Sequence, residues 1–222
     1  MNLLDLSVVH DYGYVFLQGL MITVLLTVVV MFLATILAIM IALARLSGVR
    51  IIRWPSNAFV EFIRATPLIL QLIYIYYVLP SAGIRLDPIT AAITGLTLHY
   101  SAYMSEVFRG GILSIPKGQS EAALSLGLSR WLSFRKVVLP QAIRVVLPTL
   151  GNYLISLFKD TAITSVVTVQ ELMFTGQIIA ARNFQYFTVY TVTAILYFAV
   201  CYPSGLAVRG LEEHLRKGWV KK

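Results

Sequence analysis

Five stretches of the chain run almost without charge, and polar or basic segments separate them. Gly19–Ala44 extends for 26 residues without Asp, Glu, Lys or Arg. At about 1.5 Å per residue such a helix crosses a ~30 Å hydrocarbon core with room to tilt. The other runs are Ala65–Leu79 reaching back to Asn57, Ile89–Ser105, Val145–Phe158 reaching towards Val169, and the uncharged Phe184–Val208. The three shorter ones reach spanning length only when their polar ends are included. The pattern predicts an all-α membrane protein with five transmembrane helices, over about residues 15–44, 57–79, 89–113, 141–168 and 184–208. A single unit, 1–222, is expected. No cleavable signal peptide is expected, because the first 14 residues lack Lys and Arg and the first apolar run is too long.

Composition agrees. Of the 222 residues 58% are hydrophobic and 13% charged, with a mean hydropathy of +0.80; a soluble domain carries about 25% charged residues. This excludes disorder and argues against nucleic-acid binding despite a net charge of +8. The single Cys201 excludes a disulfide framework and a Cys-rich metal site.

The basic excess is a topology signal. Arg45, Arg50 and Arg53 follow the first run; Arg109, Lys117, Arg130, Arg135, Lys136 and Arg144 lie between the third and fourth; Arg209, Arg216, Lys217, Lys221 and Lys222 follow the fifth. The opposite side holds only Arg85 and Arg182. The positive-inside rule then places the N-terminus outside and the C-terminus in the cytoplasm. Ala34, Ala38 and Ala42 recur at a spacing of four, which offers one helix face for close packing.

The segment 114–140 is too polar for lipid. Pro116 and Gly118 break the chain, Ser120 is expected to cap a short helix from Glu121, and Gly127 suits a left-handed C-terminal cap. Ser129 starts a second short helix through Trp131 and Phe134, with Leu139-Pro140 expected to end it. Apolar residues on such a loop serve either a docking partner or the membrane surface, and the residues alone leave both open.

Glu121-Ala122-Ala123, then Gly127, then Val137-x-Leu139-Pro140, resembles the EAA loop of ABC-importer permeases, with Val137 where Ile is usual. Ile115–Gln119 and Leu126–Ser129 resemble the polar-amino-acid branch of that family. Arg64-Ala65-Thr66-Pro67-Leu68 with Gln71 is similar to its second-span motif, with Ala65 in place of Gly. Tyr103, Glu106, Arg109, Gly110 and Gly111 resemble the end of its third span, and Lys159-Asp160-Thr161 its fourth-span motif. The resemblance runs from about Gly19 to Val208. It implies a bacterial inner-membrane permease that encloses a path with a second copy or a paralogue. It also implies a cytoplasmic coupling helix, with Glu121, Ala122, Ala123, Gly127, Leu139 and Pro140 meeting a separate ATP-binding subunit. That subunit would hold ATP and Mg, an external solute-binding protein would deliver an amino acid, and this chain would carry no cofactor of its own.

The chain has no GxxxxGK[ST], HExxH or GxSxG, so neither catalysis nor a metal site is expected. A membrane hydrolase would need Ser101 or Ser105 with His99, a spacing that matches no motif; a secondary transporter or channel would not explain the loop. Charges inside membrane spans cost energy and mark candidate function. Glu61 and Arg64 are expected to pair, three apart on one helical face. Glu106 and Arg109 repeat that spacing, Arg109 reaching towards the interface. Asn152, Ser156 and Asp160 form a polar stripe at a spacing of four, continuing to Thr161 and Thr164. The stripe either lines a path or joins helices. The candidate path is therefore Glu61, Arg64, Thr66, Gln71, Glu106, Asn152, Ser156, Asp160 and Thr161. Acidic wall residues point to a basic amino acid, with glutamine also open.

Overall fold

The computed structural model describes residues Ser7–Lys217. Among them every regular element is helical, as expected. In chain order these are α1 (Ser7–Leu46), α2 (Arg50–Ala65), α3 (Leu68–Ile73) running on to Ala82, and α4 (Pro88–Leu113). Next come α5 (Lys117–Ser125), α6 (Arg130–Ser133), α7 (Leu139–Asp160), α8 (Leu172–Asn183) and α9 (Tyr186–Lys217). Lys221 and Lys222, part of the expected basic tail, lie outside the described residues.

Among the described residues α1 and α9 are each long and apolar enough to cross a membrane. Two further spans of that character exist only as bent pairs: α2 with Leu68–Ala82 at 106°, and Arg130–Val167 with α8 at 51°. Helix α4 has 26 residues, about 39 Å, but carries too much polarity to qualify alone.

The expected second span, 57–79, is therefore not one helix. It breaks at Thr66-Pro67 because Pro67 cannot donate and pushes Thr66 to φ −114°, ψ 140°. Residues 57–65 belong to α2, which runs across the direction of the next segment. Helix α1 begins eight residues before the expected boundary, and the link between the fourth and fifth runs contains α8, which the apolar pattern missed.

Leu139-Pro140 does not end a helix. The chain continues from α6 through the π turn Phe134–Val138 into α7. A second π turn, Tyr74–Val78, precedes Leu79-Pro80. A proline ring clashes with the carbonyl four residues back, and a wide turn moves that carbonyl aside. After Asp160 the helix tightens to 3-10 over Thr161–Val167, so the spacing of four does not carry through to Thr164.

The core lies between α1 and α4. Ala34, Ala38 and Ala42 are fully buried, which confirms their packing role. Ala34 and Ala38 join Leu72, Leu96, Met104 and Leu157 in the surrounding apolar cluster. Asp87 caps α4 through backbone bonds from Ile89 and Thr90 at 3.1 Å. The Thr90 side chain, then these backbone bonds, hold its carboxyl below the usual carboxylate range. That cap is present above the ordinary value and is lost as pH falls through the lowered one.

Close approach is needed at Gly19, where an added Cβ would lie 2.7 Å from Thr175 Oγ1 and 3.1 Å from Leu172 Cα. Gly19→Ala is expected to cost about 1–3 kcal/mol by overpacking, read as a lowered melting temperature in detergent. Gly13→Ala, with nothing within 4 Å, is expected to be neutral or mildly stabilising.

Candidate functional site

Two regions carry polar groups where an apolar chain has little reason to hold them. The first is the loop between α4 and α7. Helix α5 starts at Lys117, a turn earlier than expected, with Pro116 rather than Ser120 at its N-cap. Ser120 Oγ instead lies 3.3 Å from Ser133 Oγ, tying α5 to α6. Gly127 has φ +81° and closes the helix: its N–H reaches Leu124 O at 2.9 Å, and Leu128 N–H reaches Ala123 O at 3.2 Å. Ser129 caps α6 by accepting from Leu132 N at 3.3 Å. Glu121, Ala122, Leu124, Leu126 and Gly127 stand exposed, while Ala123 turns into the chain. Leu139 is half-buried and Pro140 exposed.

The second region is the helix break and its neighbours. Gln71 Nε2 donates to Ile63 O at 2.8 Å, Thr66 O at 3.1 Å and Thr66 Oγ1 at 2.8 Å. These bonds satisfy carbonyls that the broken helix leaves without partners. They also fix the amide, so Gln71 Oε1 accepts from His99 Nδ1 at 3.1 Å. His99 packs against Tyr103 at 4.8 Å between centroids, and the Arg64 guanidinium lies 5.4 Å from the same ring.

Glu106 is a hub. Arg45 Nη2 meets Oε1 at 2.8 Å, Arg64 Nη1 the same oxygen at 3.4 Å, and Arg109 Nη2 meets Oε2 at 2.9 Å. Arg45 Nε also donates to Asn57 Oδ1 at 2.7 Å. The expected Glu61–Arg64 pair is absent among the described residues: Glu61 is exposed, and Arg64 turns to the half-buried Glu106 on α4. Arg109 likewise stays on Glu106. Glu106→Gln strands three guanidiniums, one of them on an Arg45 side chain only 9% exposed. It is expected to destabilise by about 3 kcal/mol in thermal unfolding. Arg109→Gln is expected to cost much less in that background than alone.

Along the stripe, Asn152 is exposed while Ser156 and Asp160 are half-buried. Asp160 Oδ2 accepts from the buried Tyr100 hydroxyl at 2.6 Å, joining α7 to the middle of α4. Lys159 points outward. Thr161 is buried and donates to Phe158 O at 2.8 Å. The structure thus joins Thr66 and Gln71 through His99 to α4, and joins Asp160 to Tyr100. It leaves Glu61 and Asn152 apart from both.

Sequence reasoning missed Tyr100, Arg45 and Glu171. Glu171 is 0% exposed and caps α8, accepting from Met173 N and Phe174 N at 2.8 Å and from Tyr197 Oη at 2.9 Å. Thr23 Oγ1 accepts from Leu172 N at 3.1 Å, so α1, α8 and α9 meet around this cap. The hydrolase reading fails: Ser101 and Ser105 donate to Leu98 O and Ala102 O of their own helix, and His99 faces Gln71.

Residues 34–217 match the family model of the binding-protein-dependent transport system inner membrane component. The chain belongs to this family. Membership places it in the inner membrane, within a transport system that depends on a binding protein, and sets aside the secondary-transporter reading. Among relatives, the probable amino-acid ABC transporter permease YckA of Bacillus subtilis is 40% identical over 193 residues, 87% of this chain and 85% of that protein. The glutamine transport system permease GlnP of Escherichia coli is 39% identical over 183 residues, 82% and 84% of the two. The family resemblance carried by the EAA loop is thereby confirmed. A crystal structure of an amino acid ABC transporter with histidines matches this family member with a TM-score of 0.90 at 33% identity, covering 95% of this chain and 99% of that one. The inward-facing MetNI methionine ABC transporter shares the fold, with a TM-score of 0.70 at 22% identity.

Proposed function

We propose that this chain is the permease subunit of an ATP-driven ABC importer for polar L-amino acids, basic ones included, and that 1–222 forms one transmembrane permease domain. Two copies, or this chain and a paralogue, enclose a path that opens alternately to either side. Five spans run with the N-terminus outside and the C-terminus in the cytoplasm, the arrangement the basic residues favour. The observation that carries the reading is the extended identity to amino-acid permeases, 40% and 39% over more than four fifths of the chain. The exposed, Gly127-closed loop agrees with it.

In this reading Glu121, Ala122 and Gly127 meet the ATP-binding subunit, Ala123 supports them from inside, and Leu139 and Pro140 join the loop to α7. ATP and Mg are held by that subunit, and no cofactor, metal or catalytic residue is assigned to this chain. The path takes in Arg64, Thr66, Gln71, Asn152, Ser156, Asp160 and Thr161. Glu106, engaged by three guanidiniums, anchors the helices beside it, and Glu61 lies at its margin. The attraction for a cationic side chain then rests on Asp160 alone. The test is uptake by vesicles holding the permease with its ATP-binding subunit and binding protein, screened over the twenty amino acids. ATP-dependent uptake of glutamine, histidine, arginine or lysine supports the proposal. ATP-independent uptake, or none of any amino acid in an assembled complex, overturns it.

A further inference from the structure

The first two turns of α2 serve neither the core nor the Glu106 hub. From Arg50 to Pro55 every residue is exposed; Ile51 is 81% and Trp54 75% exposed. Further along, Val60 and Ile63 are buried against Ile41 and Ala102, so the helix is docked at one end and uncovered at the other. At 100° per residue, Arg50, Arg53 and Asn57 share one face, and Ile51, Trp54 and Ala58 share the neighbouring one. Trp54 falls at the boundary between them, the position its amphipathic ring takes at a membrane interface.

Charge points to one occupant. No acidic residue occurs between Tyr12 and Val60. Among the described residues Arg50 and Arg53 have no ion pair, whereas Arg45 and Arg64 are spent on Glu106. The 106° bend lays α2 across the segment that follows it, which packs along α4 through Leu72 and Gly95. If that segment crosses the bilayer, α2 lies near its plane.

We propose that Arg50–Pro55 is an interfacial foot that binds acidic phospholipids, with Arg50 and Arg53 on the headgroup phosphates and Ile51 and Trp54 in the acyl boundary. A basic, amphipathic turn beside apolar spans draws anionic headgroups by surface charge and is held by its buried apolar side. The foot lies outside the proposed path, so its failure is separate from failure of the transport reading.

The experiment uses the full chain in vesicles, with Trp131→Phe and Trp219→Phe leaving Trp54 as the only indole. Trp54 fluorescence is quenched by phosphatidylglycerol or phosphatidylcholine, each brominated near the headgroup end of its chains. Brominated phosphatidylglycerol, present as a minor component, is expected to quench several-fold more strongly at equal mole fraction. Arg50→Gln with Arg53→Gln is expected to bring that preference close to unity. Equal quenching by both lipids in the parent protein overturns the acidic-lipid assignment. No quenching by either overturns the foot altogether and assigns the face to protein, a second copy included.

Discussion

Gly127→Trp is expected to leave the chain folded and inserted while abolishing uptake. The residue sits at φ +81°, where a side chain costs about 1–2 kcal/mol, and an added Cβ would meet nothing within 4 Å. The chain itself therefore has room for the indole. A complete loss of transport with a modest change in melting temperature must come from what faces the loop. Gly127→Asn is the matched comparison, since Asn tolerates the left-handed region, and it should keep most of the uptake. Glu121→Lys reverses a charge on the same exposed face and should weaken retention of the ATP-binding subunit. The measurements are co-purification of that subunit and uptake in vesicles. Normal values for both in Gly127→Trp and Glu121→Lys would remove the coupling role of the loop.

Asp160→Asn is expected to lower uptake about tenfold or more, or to change substrate preference, at nearly unchanged stability. Asn keeps an acceptor for the Tyr100 hydroxyl, now 2.6 Å away, and loses only the charge. Tyr100→Phe removes the donor instead. A hydrogen bond to a charged group contributes about 1.5–3 kcal/mol, so this variant should melt earlier even where uptake persists. Lys159→Gln, on the exposed neighbour, should do neither. Melting temperature and uptake measured on each purified variant separate the roles. Unchanged uptake by Asp160→Asn with a clear loss of stability would make the Tyr100–Asp160 contact structural only.

What was legible in the sequence was local. The left-handed cap at Gly127, the Ser129 cap and the Ala34–Ala38–Ala42 face each depend on neighbours within a turn or two. The Glu106 hub was not legible, because Arg45 and Arg64 reach it across 61 and 42 residues. Helical spacing offers Glu61 to Arg64 and says nothing of an acid on another helix. Apolar content also carries no direction, so the 106° turn between α2 and α3 was hidden inside one apolar run. Glu171 gave no signal: it lies between the fourth and fifth apolar stretches, and Glu is not among the favoured capping residues. Only the meeting of α1, α8 and α9 buries it.

The π turn at Phe134–Val138 also sets an angular phase. A π turn holds one residue more than the α turn it replaces, and one residue is worth about 100° of rotation in a helix. Everything beyond it in α7 is turned by that amount relative to the loop before it. The bearing of Asn152, Ser156 and Asp160 is thus fixed by a widened turn near Pro140, a whole helix away. Were that turn to relax to ordinary α geometry, the polar stripe would swing away from Tyr100 without any change in its own sequence.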